Sequence, residues 1–212
     1  MKTGDFIAVL SADSQKPGPA PGRALTLALI VGVLVAGALF LAMLGVRPDA
    51  MQAMHTMRYD FKIVVSIVLA VSAGVLVWRF AQPGSVSRET QLLLLVAPAL
   101  LIAAVLLELF VLPGNQWMPK LMGHNARKCM MFIPILAAVP LGALIYALRS
   151  GATTAPVRTG AVAGLIAGGI GAAFYAIHCP DDSPLFVATW YTIAIAAVTA
   201  LGAFLGSRLL KW

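Results

Sequence analysis

Residues 24–46 read ALTLALIVGVLVAGALFLAMLGV, 23 positions without a charge that open directly after Arg23. About 20 apolar residues carry a helix across a bilayer. A secretory leader has a shorter apolar core and a small-residue cleavage site, so this stretch reads as a retained transmembrane helix. Five more apolar runs follow: 63–78, with Lys62 and Arg79 at its ends able to snorkel outward; 92–112, interrupted by Glu108; 130–148; 161–178; and 184–206. The expected fold is all-α, a polytopic bundle of six transmembrane helices over residues 24–212, preceded by a tail of residues 1–23.

Composition agrees with the spans. Of the 212 residues, 60% are hydrophobic and 11% charged, with mean hydropathy +0.92. Soluble domains carry roughly a quarter charged residues, so lipid must solvate much of this surface. The net charge of +7 comes from Lys and Arg scattered through short loops. That pattern fits a membrane topology and not a nucleic-acid-binding stripe.

Six spans leave both termini on one side, and the cations choose which. With the N-terminus inside, the inner segments hold Lys2, Lys16, Arg23, Arg79, Arg88, Arg149, Arg158, Arg208 and Lys211. The outer loops hold Arg47, Arg58, Lys62, Lys120, Arg127 and Lys128. Nine against six favours an N-in, C-in arrangement. In the tail, residues 1–10 can form a helical turn that presents Phe6, Ile7 and Leu10. Residues 16–22, KPGPAPG, then read as an extended linker, because proline forbids helix continuation. A sticky turn on a tether suits a docking peptide; a leader lying on the membrane surface explains it equally well.

The chain has two cysteines. Cys129 stands at the start of span four and Cys179 at the end of span five. Consecutive spans run antiparallel, so both thiols reach one face whichever way the bundle is inserted. Under the N-in reading that face is periplasmic, where disulfides form and persist. Bridging the two would close a loop of about 50 residues, worth roughly 4 kcal/mol in the chain-entropy model. Two inert buried thiols are the plain alternative. Soft or borderline ligands share this face: His55, His124 and His178, with Met51, Met54 and Met57 in the first outer loop and further methionines in the second. Thiolate, thioether and imidazole suit Cu(I), Zn or a similar soft ion, and Met51, Met54 and His55 can share a helical face. No CxxC or comparable spacing appears, so any metal contact is transient and no permanent cofactor is expected.

His178-Cys179-Pro180-Asp181-Asp182-Ser183-Pro184 is the densest polar segment. Ser183 can cap the sixth helix, Pro184 suits its first turn, and the acids complement its dipole. Asp181 and Asp182 can alternatively hold a cation, or disfavour the Cys179 thiolate. Glu108 is the one acid inside an apolar run, and it reads as a structural partner for water or a loop cation more than as a proton carrier. Gly160, Gly164 and Gly168 repeat every four residues in span five, a small face that permits close helix contact within the bundle. The chain lacks a Walker loop, HExxH, GxSxG and a complete dinucleotide fingerprint, and it reads as something other than an enzyme.

Taken together, these features resemble the NrsF-type anti-sigma factors, membrane negative regulators of extracytoplasmic-function sigma factors. The resemblance covers nearly the whole chain. It rests on the opening MKTGDFI, six spans, Gly123 with Cys129 entering span four, AIHCPDDSP at 176–184, Trp190 in span six, and the terminal RLLKW. It implies a bacterial inner-membrane protein that sequesters its sigma factor and releases it under heavy-metal or oxidant stress, chromate and cadmium among the signals. By the same resemblance Cys129 and Cys179 are the sensing pair, and Asp5, Phe6, Ile7 and Leu10 belong to the sigma contact. The competing readings are a small metal-ion permease, which would move substrate, and a membrane thiol redox protein, which would turn over with a quinone or thiol.

Overall fold

The computed structural model describes residues 4, 21–80, 87–151 and 153–210. Among these there is no strand, and six helices are long and apolar enough to cross a membrane. They are α1 (Pro21–Met43), α2 (Met57–Phe80), α3 (Arg88–Val111, with a 3₁₀ turn at Leu93–Leu95), α4 (Ala126–Leu148), α5 (Pro156–His178) and α6 (Pro184–Leu209). Each matches one expected span, with ends displaced by up to six residues. Pro21 and Gly22, expected in the linker, form the first turn of α1, where proline's missing N–H costs nothing. The second helix starts at Met57, six residues earlier than expected, and this places Lys62 inside it.

Local chemistry sets the helix ends. Gly45 ends the α1 exit at φ 70°, and its amide and that of Leu44 both return to Phe40 O. Ser87 opens α3 by accepting from Thr90 N at 3.3 Å, with Glu89 in the first turn. Proline opens α5 and α6. Between α3 and α4, the short helix Trp117–Met122 stops at Gly123, φ 55°, where an added Cβ would fall 2.5 Å from the Phe186 ring. That position admits only glycine on both counts.

Helix α5 is the centre of the bundle: it packs on α1, α2, α4 and α6, and 72% of its most apolar window is buried. Helix α3 sits at the edge, with 11% buried. Leucines, valines and Phe110 along α1 and α3 stay exposed over their whole length, a surface only lipid tails can solvate. In lipid, apolar burial does little to drive helices together, so close packing must do so. The glycines of α5 supply it within the chain. Gly160 faces Gly202 and Gly206 of α6, Gly164 faces the Val198–Thr199 backbone, and Gly168 faces Ile195. Thus the Gly160, Gly164 and Gly168 face is an intramolecular seam. Its other half, Gly202 and Gly206, shows the same four-residue spacing in the sequence. On the opposite side Gly32 of α1 abuts Pro140 of α4, where an added Cβ would fall 2.9 Å from the proline Cα.

Candidate functional site

At one end of the bundle lie residues 44–56, 112–125 and 179–183. The last segment is built to be held in place. Cys179 leaves α5 in extended conformation, φ −70° and ψ 126°, and the proline that follows supports that geometry. Ser183 then caps α6, accepting from Leu185 N at 3.3 Å, and Pro184 stands at the first helical position.

Both thiols are fully buried and unbridged, and both belong to one hydrophobic cluster. Cys129 is in the first turn of α4, and Cys179 directly follows α5. Tyr175, one turn before Cys179, and Tyr191 of α6 pack in the same cluster with ring centroids 5.8 Å apart. Tyr191 lies in a π-helical turn at Val187–Tyr191, and its hydroxyl is buried beside the Cys179 thiol. Burial pushes the Cys179 thiol above its ordinary range, against the lowering pull of Lys62.

Charges surround this segment on three sides. Lys62, fully buried, pairs with Asp182 at 2.5 Å and donates to the Cys179 carbonyl. Arg47 pairs with Asp182 at 3.0 Å and Asp49 at 2.6 Å, and its Nη1 also reaches the Cys179 carbonyl at 3.4 Å. Asp49 and then Asp182 hold the Arg47 guanidinium above its usual range, while Arg47 holds Asp49 down at about 2. Both cations also lie over the Tyr59 ring, at 5.6 and 5.3 Å. Asp181 accepts from the amides of His124 and Asn125 at 3.1 and 2.9 Å and from Asn125 Nδ2 at 3.0 Å. Beyond them Glu108 of α3, buried, accepts from Ser183 Oγ at 2.8 Å and Leu185 N at 3.2 Å, with Arg58 3.3 Å from its other oxygen.

Several expectations change here. Lys62 does not snorkel to the headgroups; Asp182 and the Cys179 carbonyl hold it inside. Asp182 takes the protein's own cations, Arg47 and Lys62, Asp181 takes amides, and the acid at the N-terminus of α6 is Glu108, supplied by another helix. Glu108 meets a cation, Arg58, that stands in the first turn of α2 and not in a loop. His178 Nδ1 reaches Gly45 O at 3.1 Å, whereas Met51, Met54, His55 and His124 are exposed. Among the described residues no three His, Cys, Asp or Glu gather as a metal-ligand set. The sigma-contact residues Asp5, Phe6, Ile7 and Leu10 lie outside the described residues. The sequence reading missed Arg47 and Lys62 as site residues, although six cations and five acids fall at that end of the bundle. It also missed Tyr175, whose signal was its position four residues before Cys179.

Fold and site define a bundle of six helices long and apolar enough to cross a membrane, with two buried cysteines in one cluster at one end beside an ion-paired loop. The chain belongs to the NrsF family, described as negative regulator of sigma F, whose model matches residues 10–212. It is 32% identical over 214 residues to the anti-sigma-F factor NrsF of Caulobacter vibrioides, and 30% identical over 221 residues to a probable anti-sigma-F factor NrsF of Azospira oryzae. Both alignments cover 100% of each chain. No solved structure matches.

Proposed function

We propose that this protein is an anti-sigma factor of the bacterial inner membrane. It sequesters an extracytoplasmic-function sigma factor at the inner face and releases it when Cys129 and Cys179, on the periplasmic face, meet heavy metal or oxidant. The family match over residues 10–212 carries the regulatory role. The placement of both cysteines in one cluster at one end of the bundle supports the sensing role, because two distant thiols could not act as a pair. The N-in orientation rests on the nine-to-six cation count, and three of the six outer cations, Arg47, Arg58 and Lys62, are engaged by Asp49, Glu108 and Asp182.

The thiols sit at one end of α4 and α5, while the loop joining those helices lies at the other, on the sigma side. A reagent shifts the protein only if the released state binds it better than the sequestering state does. Two experiments test the reading. The full-length protein, co-expressed with the sigma factor, is expected to co-purify with it, and removal of residues 1–23 to weaken capture. A Cys129→Ser/Cys179→Ser variant is expected to keep the sigma factor bound under metal or oxidant. Normal release by that variant ends the sensing reading.

A further inference from the structure

The thiols are fully buried, so nothing dissolved in water touches them while the segment 179–183 is seated. Beside its local turn and cap contacts, it is seated by groups from elsewhere in the chain: Lys62 and Arg47 on Asp182 and the Cys179 carbonyl, the 124–125 amides on Asp181, and Glu108 on Ser183. From these contacts we infer that residues 179–183 are a lid over Cys129 and Cys179, and that Lys62 is the bolt that keeps it shut. The inference deepens the sensing reading and takes its biological meaning from it; the gating itself depends only on access to sulfur.

As Glu108 ties Ser183 to α3, Lys62 ties the lid to α2. It is fully buried and grips the lid at two points, a backbone carbonyl and a carboxylate. Arg47 also reaches both, but it shares its guanidinium with exposed Asp49 at the rim. A pocket of about 200 Å³, lined on one side by Pro119, Lys120 and His124 and on the other by residues 180–183, lies against the lid.

The test is the rate at which a small water-soluble methanethiosulfonate labels the two thiols in full-length protein in detergent micelles. Lys62→Met is expected to raise the rate at both thiols at least tenfold, with Asp182 still paired to Arg47. Gly142→Ala, where an added Cβ meets nothing within 4 Å and no lid contact is touched, should leave the rate within twofold of the parent. A folded Lys62→Met protein labelled at the parental rate overturns the inference. Should that variant fail to fold, Cys129→Ser and Cys179→Ser provide an independent reading. One lid opening exposes both sulfurs, so the remaining cysteine in each should label at similar rates, and rates more than tenfold apart overturn the lid. Sigma release enters neither measurement, so the lid and the sensing reading fail separately.

Discussion

Replacing Gly164 with alanine tests whether the seam between α5 and α6 carries the bundle. An added Cβ there would sit 2.6 Å from Thr199 Cα and 2.8 Å from Val198 O, both backbone atoms that cannot rotate away. Carbon pairs rest at about 3.5–4.0 Å, so the helices must part by about 1 Å. Each atom pair across the seam gains about 0.1–0.2 kcal/mol at its optimum, and a gap of that size forfeits a quarter to a half of it. Over some tens of pairs the loss is about 1–2 kcal/mol, within the ~1–3 kcal/mol typical of overpacked cores. Gly74→Ala and Gly142→Ala are the controls, because a Cβ at either meets nothing within 4 Å. The assay is equilibrium unfolding of purified protein in mixed micelles by increasing SDS fraction. Gly164→Ala should unfold at a clearly lower SDS fraction, and both controls at or above the parental value. If Gly164→Ala tracks the controls, close glycine packing is not what holds α5 to α6.

Three further outcomes follow from the cysteine end. Glu108→Gln exchanges charge-assisted hydrogen bonds to Ser183 and Leu185 for neutral ones and removes the acid from the α6 N-terminus; it should destabilise the same micellar unfolding by about 1–2 kcal/mol. Tyr191→Phe removes a buried hydroxyl whose polar neighbour is the weakly bonding Cys179 thiol, so it should change stability by no more than about 1 kcal/mol; a larger loss would show a stronger partner at the hydroxyl. Burial raises the Cys179 thiol above its ordinary value, so its contribution is complete below the unfolded thiol pKa of about 8.5 and fades as pH rises through the higher folded value. Unfolding midpoints between pH 7 and 10 should therefore fall above about pH 8.5, and Cys179→Ser should flatten part of that decline.

How much of this was legible in the sequence depended on the period of each signal. The spans were, because a bilayer demands about 20 apolar residues and the chain supplies six such runs. The common depth of Cys129 and Cys179 was legible too, since antiparallel neighbours fix it without any knowledge of packing. The Gly160, Gly164 and Gly168 face announced itself by its spacing, but its partner Gly202 and Gly206 could be assigned only once α5 and α6 were side by side. Lys62 was misread for a specific reason. A lysine at the edge of an apolar run ordinarily extends to the headgroups, and what retains it here is Asp182, 120 positions away in sequence. Glu108 serving the α6 N-terminus was hidden likewise, because Asp181 and Asp182 stood closer in sequence and only the fold turned them to other donors.

Those long-range polar pairs explain how the bundle can be firm along its length yet adjustable at one end. In lipid the apolar side chains lose little by parting, so the seams of α5 with α6 and of α1 with α4 depend on backbones in close contact. Such contacts are stiff, and no water-borne reagent reaches them. At the cysteine end the holding forces are of another kind. Arg47, Lys62, Asp181, Asp182 and Glu108 grip a short loop by ion pairs and hydrogen bonds, all within reach of water if the loop lifts. Removing one partner from a buried pair destabilises by several kcal/mol, whereas solvating both together costs far less. The polar end is thus held by contacts of a different kind from those of the seams, and both buried thiols belong to the cluster beside it.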